Sequence, residues 1–204
     1  MRIRVRAVLP WLLVAARGAA TLVLAVALAA RALSDGLVLW LFVVAFVSDY
    51  FDGVVARALK VVTWRLRQAD SLVDTVFYLV LAAATWTLHP DVIRSHPVAL
   101  GVLLGTLALW YLLDLIRWRA AAGFHSWSAK MFATSLGLWA IAQFGFGRGG
   151  PWMVVACVAG TLSHVEGIAI SLTLRRHVAD VPTFLHALRL RDSGELDQPR
   201  RLTG

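Results

Sequence analysis

Apolar residues gather in six long stretches, at 8–32, 37–57, 70–88, 97–116, 130–146 and 152–174. An α-helix needs about 20 mainly apolar residues to cross a bilayer, so the pattern predicts six transmembrane helices. The first stretch carries Arg17, and the fifth is short, with Gly137 and Gln143 inside it. Turn-forming residues separate the stretches: Ser34-Asp35-Gly36, His89-Pro90-Asp91, and Gly147 to Pro151. There is no internal repeat and no low-complexity stretch. Beyond Arg175 the chain turns polar. Val178 to Leu190 suits an amphipathic helix on the membrane surface, with Pro182 near its start and Arg189 and Arg191 near its end. Residues 192–204 have the composition of a disordered tail. The expected organisation is a six-helix membrane domain over 1–180 and a cytoplasmic amphipathic segment with a flexible tail over 181–204.

The basic residues orient these helices. Sixteen of the twenty Lys and Arg residues flank the stretches on one side, and only Arg31, Arg94 and Arg148 fall on the other. The positive-inside rule puts both termini in the cytoplasm, which requires an even number of spans. Composition agrees: 59% of residues are hydrophobic, above the usual half or so for a soluble domain, and the mean hydropathy is +0.72. A net charge of +8 would suit nucleic acid in another context. Here the basic residues alternate with apolar stretches, which favours the anionic cytoplasmic leaflet or an anionic substrate, and no nucleic-acid partner is expected. Cys157 is the only cysteine, so no internal disulfide can form, and it lies in an apolar run where packing is its expected role. The start, Met1-Arg-Ile-Arg-Val-Arg6, resembles a signal peptide. The apolar run behind it is too long for one and carries Arg17, so a retained first helix is expected. The expected fold class is therefore an all-α, multi-pass integral membrane protein.

Ionisable groups at membrane depth are costly and are placed there for a purpose. Six of the twelve acidic residues lie in loops or the tail; the others are Asp49, Asp52, Asp70, Asp74, Asp114 and Glu166. The first four sit within the single stretch SDYFDGVVARALKVVTWRLRQADSLVDT. Asp49 and Asp52 are three residues apart at the cytoplasmic end of the second span, and Asp70 and Asp74 are four apart at the start of the third. Each pair shares a helix face, and the cytoplasmic connection lets the pairs face each other. Four such carboxylates repel unless cations neutralise them, and an all-oxygen donor set suits Mg²⁺ or Mn²⁺. Gly53 leaves room for a ligand at the backbone, Ala56 is small on the same side, and Arg57 offers a guanidinium fork suited to phosphate.

These residues resemble the signature of the CDP-alcohol phosphatidyltransferase family, D-x2-D-G-x2-A-R-x8-G-x3-D-x3-D. Asp49, Asp52, Gly53, Ala56, Arg57, Asp70 and Asp74 match it in type and spacing. Pro10, Leu13 and Arg17 are similar to the family's N-terminal P-N-x-L-T-x2-R segment, with Trp11 in place of Asn and Val14 in place of Thr. Ala129-Lys130 resembles the Gly-Lys that opens the fifth span of phosphatidylglycerophosphate synthases, and the likeness leans toward bacterial members of that kind. One signature position departs: Leu66 stands where the family has a second glycine that makes room for the cytidine nucleotide. A leucine there narrows or reshapes that wall.

The resemblance implies metal-dependent transfer of a phosphatidyl group from a CDP-linked lipid, usually CDP-diacylglycerol, to an alcohol acceptor, with release of CMP. It implies that Asp49, Asp52 and Asp70 hold two ions, Mg²⁺ or Mn²⁺, with Asp74 also near the second and acting as general base. Gly53, Ala56 and Arg57 would line the CDP site together with Asp49 and the altered position Leu66. Arg17, Arg117 and Lys130 are the candidates for contacting the acceptor, phosphorylated or not. The expected location is a bacterial-type inner (plasma) membrane with the site facing the cytoplasm, and family members often form homodimers.

Other residues have simpler readings. Asp114 precedes Arg117 by three residues, suiting a local ion pair. His164 suits a hydrogen-bonded interior position, and Glu166 suits pairing with a cation. Arg117, Arg119 and Lys130 also suit lipid headgroups, and Trp11, Trp64, Trp118 and Trp127 suit the membrane interface. Two other function classes stay open. A catalytically weakened member serving as a binding or scaffold protein would follow from Leu66. A small cation or proton transporter would show repeats and charges near the bilayer midplane, unlike the one-sided acidic stretch here.

Overall fold

The computed structural model describes residues 2–59, 64–119, 126–174 and 181–193; the side chains of 2–7, 52–59, 64, 65, 67, 68 and 71 are outside the described residues. The elements are helices α1 (Arg2–Ala29), α2 (Asp35–Leu59), α3 (Trp64–Leu88), the short α4 (Pro90–Arg94), α5 (Pro97–Trp118), α6 (Trp127–Ala140), α7 (Gly150–Thr173) and α8 (Phe184–Asp192). A π-helical segment, Ile141–Gly145, continues α6. No strand occurs among the described residues. Each of the six apolar stretches forms a helix. Among the described residues, three helices are long and apolar enough to cross a membrane: Val8–Ala29, Pro97–Trp118 and Gly150–Thr173. They mark the chain as a membrane protein. Leu72–Leu88 is a shorter apolar helix.

The helices outrun their apolar stretches where the sequence still favours helix. α3 begins at Trp64 because Arg65, Leu66, Arg67, Gln68 and Ala69 all have good helix propensity. The fifth stretch departs the other way. It leaves α-geometry at Ile141, and the π-turn buries Gln143 and Phe144. Such a turn inserts one extra residue into the helix, and here it places a polar side chain inside.

The chain divides into two compact units, Met1–Arg94 with Ala140–Gly149, and Ser95–Trp139 with Gly150–Gly204. In the first, α1 packs on both α2 and α3, which touch each other far less. The buried face of α1 repeats with helical spacing: Val14, Arg17, Thr21, Leu24 and Ala27. On α2 it is Val38, Leu41, Phe42, Ala45 and Ser48, and on α3 it includes Phe77, Leu81 and Ala84. The rings of Phe42 and Phe77 lie 6.2 Å apart. At the other end of these helices His89 Nε2 and Asp35 Oδ1 are 2.6 Å apart, tying the start of α2 to the end of α3.

In the second unit α5 and α7 form the main packing pair. Two glycines of α7 allow the close approach. A Cβ on Gly160 would come within 3.0 Å of Leu103 and Phe132, and one on Gly167 would lie 2.6 Å from the Trp110 ring. Buried polar groups line the same seam. Ser171 donates a hydrogen bond of 2.5 Å to Asp114, and Thr106 Oγ1 lies 3.2 Å from His164 Nδ1. The rings of Trp110 and Phe132 flank that histidine, so it occupies a packed interior position.

The amphipathic helix expected near the C-terminus is α8. Of its expected range, 178–180 lies outside the described residues, as do residues 194–204 of the expected tail. The Thr183 side chain accepts from the His186 N–H and caps the helix. Val181 and Ala187 are buried with Ile170 and Leu174, with Trp110, Trp118, Phe184 and Leu190 packed around them. Glu166 anchors the junction: it accepts from the Phe184 N–H at 3.0 Å and from the Ser128 hydroxyl. Glu166 thus joins α6, α7 and α8.

Candidate active site

Helices α2 and α3 bring the aspartates together, and α1 supplies a cation beside them. Asp49 follows the buried stripe of α2, and Asp70 and Asp74 sit one helical turn apart on α3. One carboxylate oxygen from each of the three lies within 4.8 Å of the others. This is a hard oxygen donor set of the kind that holds Mg²⁺ or Mn²⁺, and the three residues could hold a metal ion. The carboxylates are partly exposed, at 44% for Asp49, 26% for Asp70 and 31% for Asp74.

Beneath them lies Arg17 of α1, with its side chain 1% exposed. Its Nη1 donates to Asp70 Oδ1 at 2.7 Å and also to Asp74 Oδ1. Its Nη2 lies 3.3 Å from Asp49 Oδ1. An arginine buried in an apolar helix is costly without counter-charges, and three carboxylates on neighbouring helices repel without a cation. Each therefore stabilises the other. This arrangement depends on α1 packing against both α2 and α3. The sequence places Arg17 in a span and matches it to a family segment, but does not reveal its contact with the aspartates. The available signal was its spacing on α1: three residues after Val14 and four before Thr21, on the face that packs inward.

The backbone of Asp52, Gly53, Ala56 and Arg57 lies in α2, and their side chains lie outside the described residues. Leu66 is buried at 6% and forms one cluster with Val14, flanked by Ala69 and Val73. These are the two positions where the chain departs from the glycine and the threonine of the resembled patterns, so the two departures pack together. Arg117 and Lys130 belong to the second unit. Arg117 donates to the Leu174 carbonyl at 3.1 Å, and its guanidinium lies over the Trp118 ring. Lys130 lies 4.2 Å from the Trp127 ring centroid, beside an open groove along α6 lined also by Met131, Thr134 and Leu138.

A family model describing the CDP-alcohol phosphatidyltransferases matches residues 7–165, which include Arg17 and all four aspartates. The chain belongs to the CDP-alcohol phosphatidyltransferase family. Among curated proteins and solved structures, none matches it. Membership supports an enzyme of this general kind: a membrane transferase of phospholipid synthesis that moves a phosphatidyl group from a CDP-alcohol. Members of the family use divalent metals, and the Asp49, Asp70 and Asp74 oxygens fit that use.

Proposed function

We propose that this phosphatidyltransferase takes its phosphatidyl group from a CDP-linked lipid, CDP-diacylglycerol being the usual form, and passes it to an alcohol with release of CMP. The observation that carries the reading is the convergence of Asp49, Asp70 and Asp74 around a single cationic group within the family-matched region. Asp49, Asp52, Asp70 and Asp74 would hold two ions, Mg²⁺ or Mn²⁺. Bound there, divalent ions supply positive charge to the donor diphosphate and to the leaving CMP. Asp74 takes the proton from the acceptor hydroxyl. The acceptor oxygen then bonds to the phosphorus that carries the diacylglycerol, and the bond from that phosphorus to CMP breaks, with CMP leaving on its electron pair. Gly53, Ala56 and Arg57 line the nucleotide. Arg17, Arg117 and Lys130 are the cations available to a phosphorylated acceptor. Six spans with cytoplasmic termini would set the carboxylates at the cytoplasmic face of a bacterial-type inner membrane. The lipid tails then stay in the bilayer while the headgroup meets water-soluble reactants.

The Leu66–Val14 contact favours a second reading, in which the nucleotide wall is altered and turnover is weak or the protein acts as a binding or scaffold member. Lipid product analysis by mass spectrometry decides between the two. The purified protein is incubated with CDP-diacylglycerol, Mn²⁺ or Mg²⁺ and a panel of alcohols. A new phospholipid and stoichiometric CMP support transfer; no product with any alcohol supports the second reading.

A further inference from the structure

We infer that Glu166 and the segment 181–184 position Lys130 for an anionic ligand, by fixing the first turn of α6 from outside that helix. The inference rests on the reading of Lys130 as a contact for a phosphorylated acceptor, and deepens it. The opening turn of a helix carries backbone N–H groups that have no partner within the helix. In α6 the Trp127 N–H donates to the Pro182 carbonyl at 3.1 Å, and the Ala129 N–H donates to Oγ of the buried Ser126 at 3.3 Å. Ser126 Oγ and Ser128 Oγ are 2.8 Å apart, and Ser128 donates to Glu166 Oε2. A hydroxyl has one hydrogen to give, so Ser126 donates to Ser128 and the chain ends on the carboxylate. The other carboxylate oxygen, Oε1, accepts from the Phe184 N–H at 3.0 Å. The segment 181–184 is itself anchored, because Val181 is fully buried with Ala187, Ile170 and Leu174. Trp127 and Ser128 are thus both tied to α7 and to the start of α8.

Lys130 depends on those two residues. Its ammonium lies 4.2 Å from the Trp127 ring centroid. Trp127 is 63% exposed and Lys130 is exposed as well, so the pair is open to an incoming anion. An exposed cation–π contact is weak, and a lysine side chain loses much rotamer freedom when it is ordered. The contact therefore holds the ammonium only where the ring is already held. The Pro182 carbonyl fixes the backbone that carries the ring, and Glu166 fixes the next residue. An ammonium placed in advance spares an anion the cost of ordering it. Glu166 is a positioning residue in this account, acting through Ser128 and the helix start; Lys130 is the group that meets the phosphate.

Nuclear magnetic resonance of the purified full chain tests this without any turnover. Lys60 and Lys130 are the only lysines, so reductive ¹³C-methylation, which keeps the charge, puts a probe on each. Lys130→Met assigns the Lys130 signal by removing it. In the native chain that signal should be shifted upfield by the Trp127 ring, and it should move as inorganic phosphate is titrated. Glu166→Ala should lose most of the upfield shift and bind phosphate roughly five-fold more weakly. Loss of the Glu166 charge would by itself favour an anion, so weaker binding reports lost geometry. Glu166→Gln removes the same charge but can keep both bonds, its amide donating to Ser128 and its oxygen accepting from the Phe184 N–H. It should keep the shift and bind phosphate at least as tightly as the native chain. Ser128→Ala cuts the link on the α6 side and should show the same losses to a smaller degree, which keeps the test open if Glu166→Ala folds poorly. Native shift and phosphate affinity in a folded Glu166→Ala or Ser128→Ala overturn the positioning role and leave the reading of Lys130 standing. Loss of both in Glu166→Gln also overturns it, because the charge and not the hydrogen bonds would then matter. A native Lys130 signal that phosphate does not move removes Lys130 as an anion contact, and the inference falls with that reading.

Discussion

The two units bury acidic groups in opposite ways. In the first, among the described residues, Asp49, Asp70 and Asp74 share the guanidinium of Arg17 and stay partly open. In the second, Glu166 accepts from a serine hydroxyl and a backbone amide, and Asp114 accepts from Ser171 while lying almost fully buried. At Glu166, hydroxyl and amide donors serve the carboxylate and join helices. Three carboxylates around one cation form a cluster with negative charge to spare, and they could hold a metal ion. Similar residue types therefore gather around a cation in one unit and join helices in the other.

Substitutions can break that contrast. Asp74→Asn should cut CMP release by about 10²–10⁴-fold, the usual contribution of a positioned base, with the melting midpoint held or raised because a charge is removed from a repelling set. Full activity in this variant would remove Asp74 from its role. Glu166→Ala should act on stability instead. It leaves the Phe184 amide and the Ser128 hydroxyl without their acceptor, a cost of about 1–3 kcal/mol, visible as faster hydrogen exchange in α8. A loss of turnover per folded molecule as large as that of Asp74→Asn would erase the distinction between the units. Gly167→Ala drives a methyl group into the Trp110 ring and should cost about 1–3 kcal/mol by overpacking, read as a lowered melting midpoint with Mn²⁺ affinity unchanged. Thr183→Ala removes the cap of α8 and should cost about 1 kcal/mol, again by hydrogen exchange confined to that helix.

Particular residues explain how much could be read in advance. The six apolar stretches became helices; for the three long and apolar enough to cross a membrane, a run of about 20 apolar residues in lipid has to satisfy its backbone internally. The π-turn at Ile141–Gly145 was not visible, because it arises from how Gln143 and Phe144 fit their surroundings and apolar periodicity does not report it. Glu166 was expected to pair with a cation, and it instead accepts from Ser128 and Phe184. Hydrogen-bond partners 38 and 18 residues away depend on helix packing that no spacing rule encodes. For Leu66 the sequence shows a departure from a pattern, and only packing shows that Val14, another departure, is its neighbour.

The aspartates were determined by the sequence alone. Their residue type and their i, i+3 and i, i+4 spacing are read directly, their shared helix faces follow from local helical geometry, and the same pattern indicates the family. What tertiary structure decided is the cation they hold. Arg17 lies 53 and 57 residues from Asp70 and Asp74, and only the packing of α1 against both α2 and α3 brings its charge among them. Spacing along one helix fixes which groups share a face. Which charge that face meets depends on the helices packed against it.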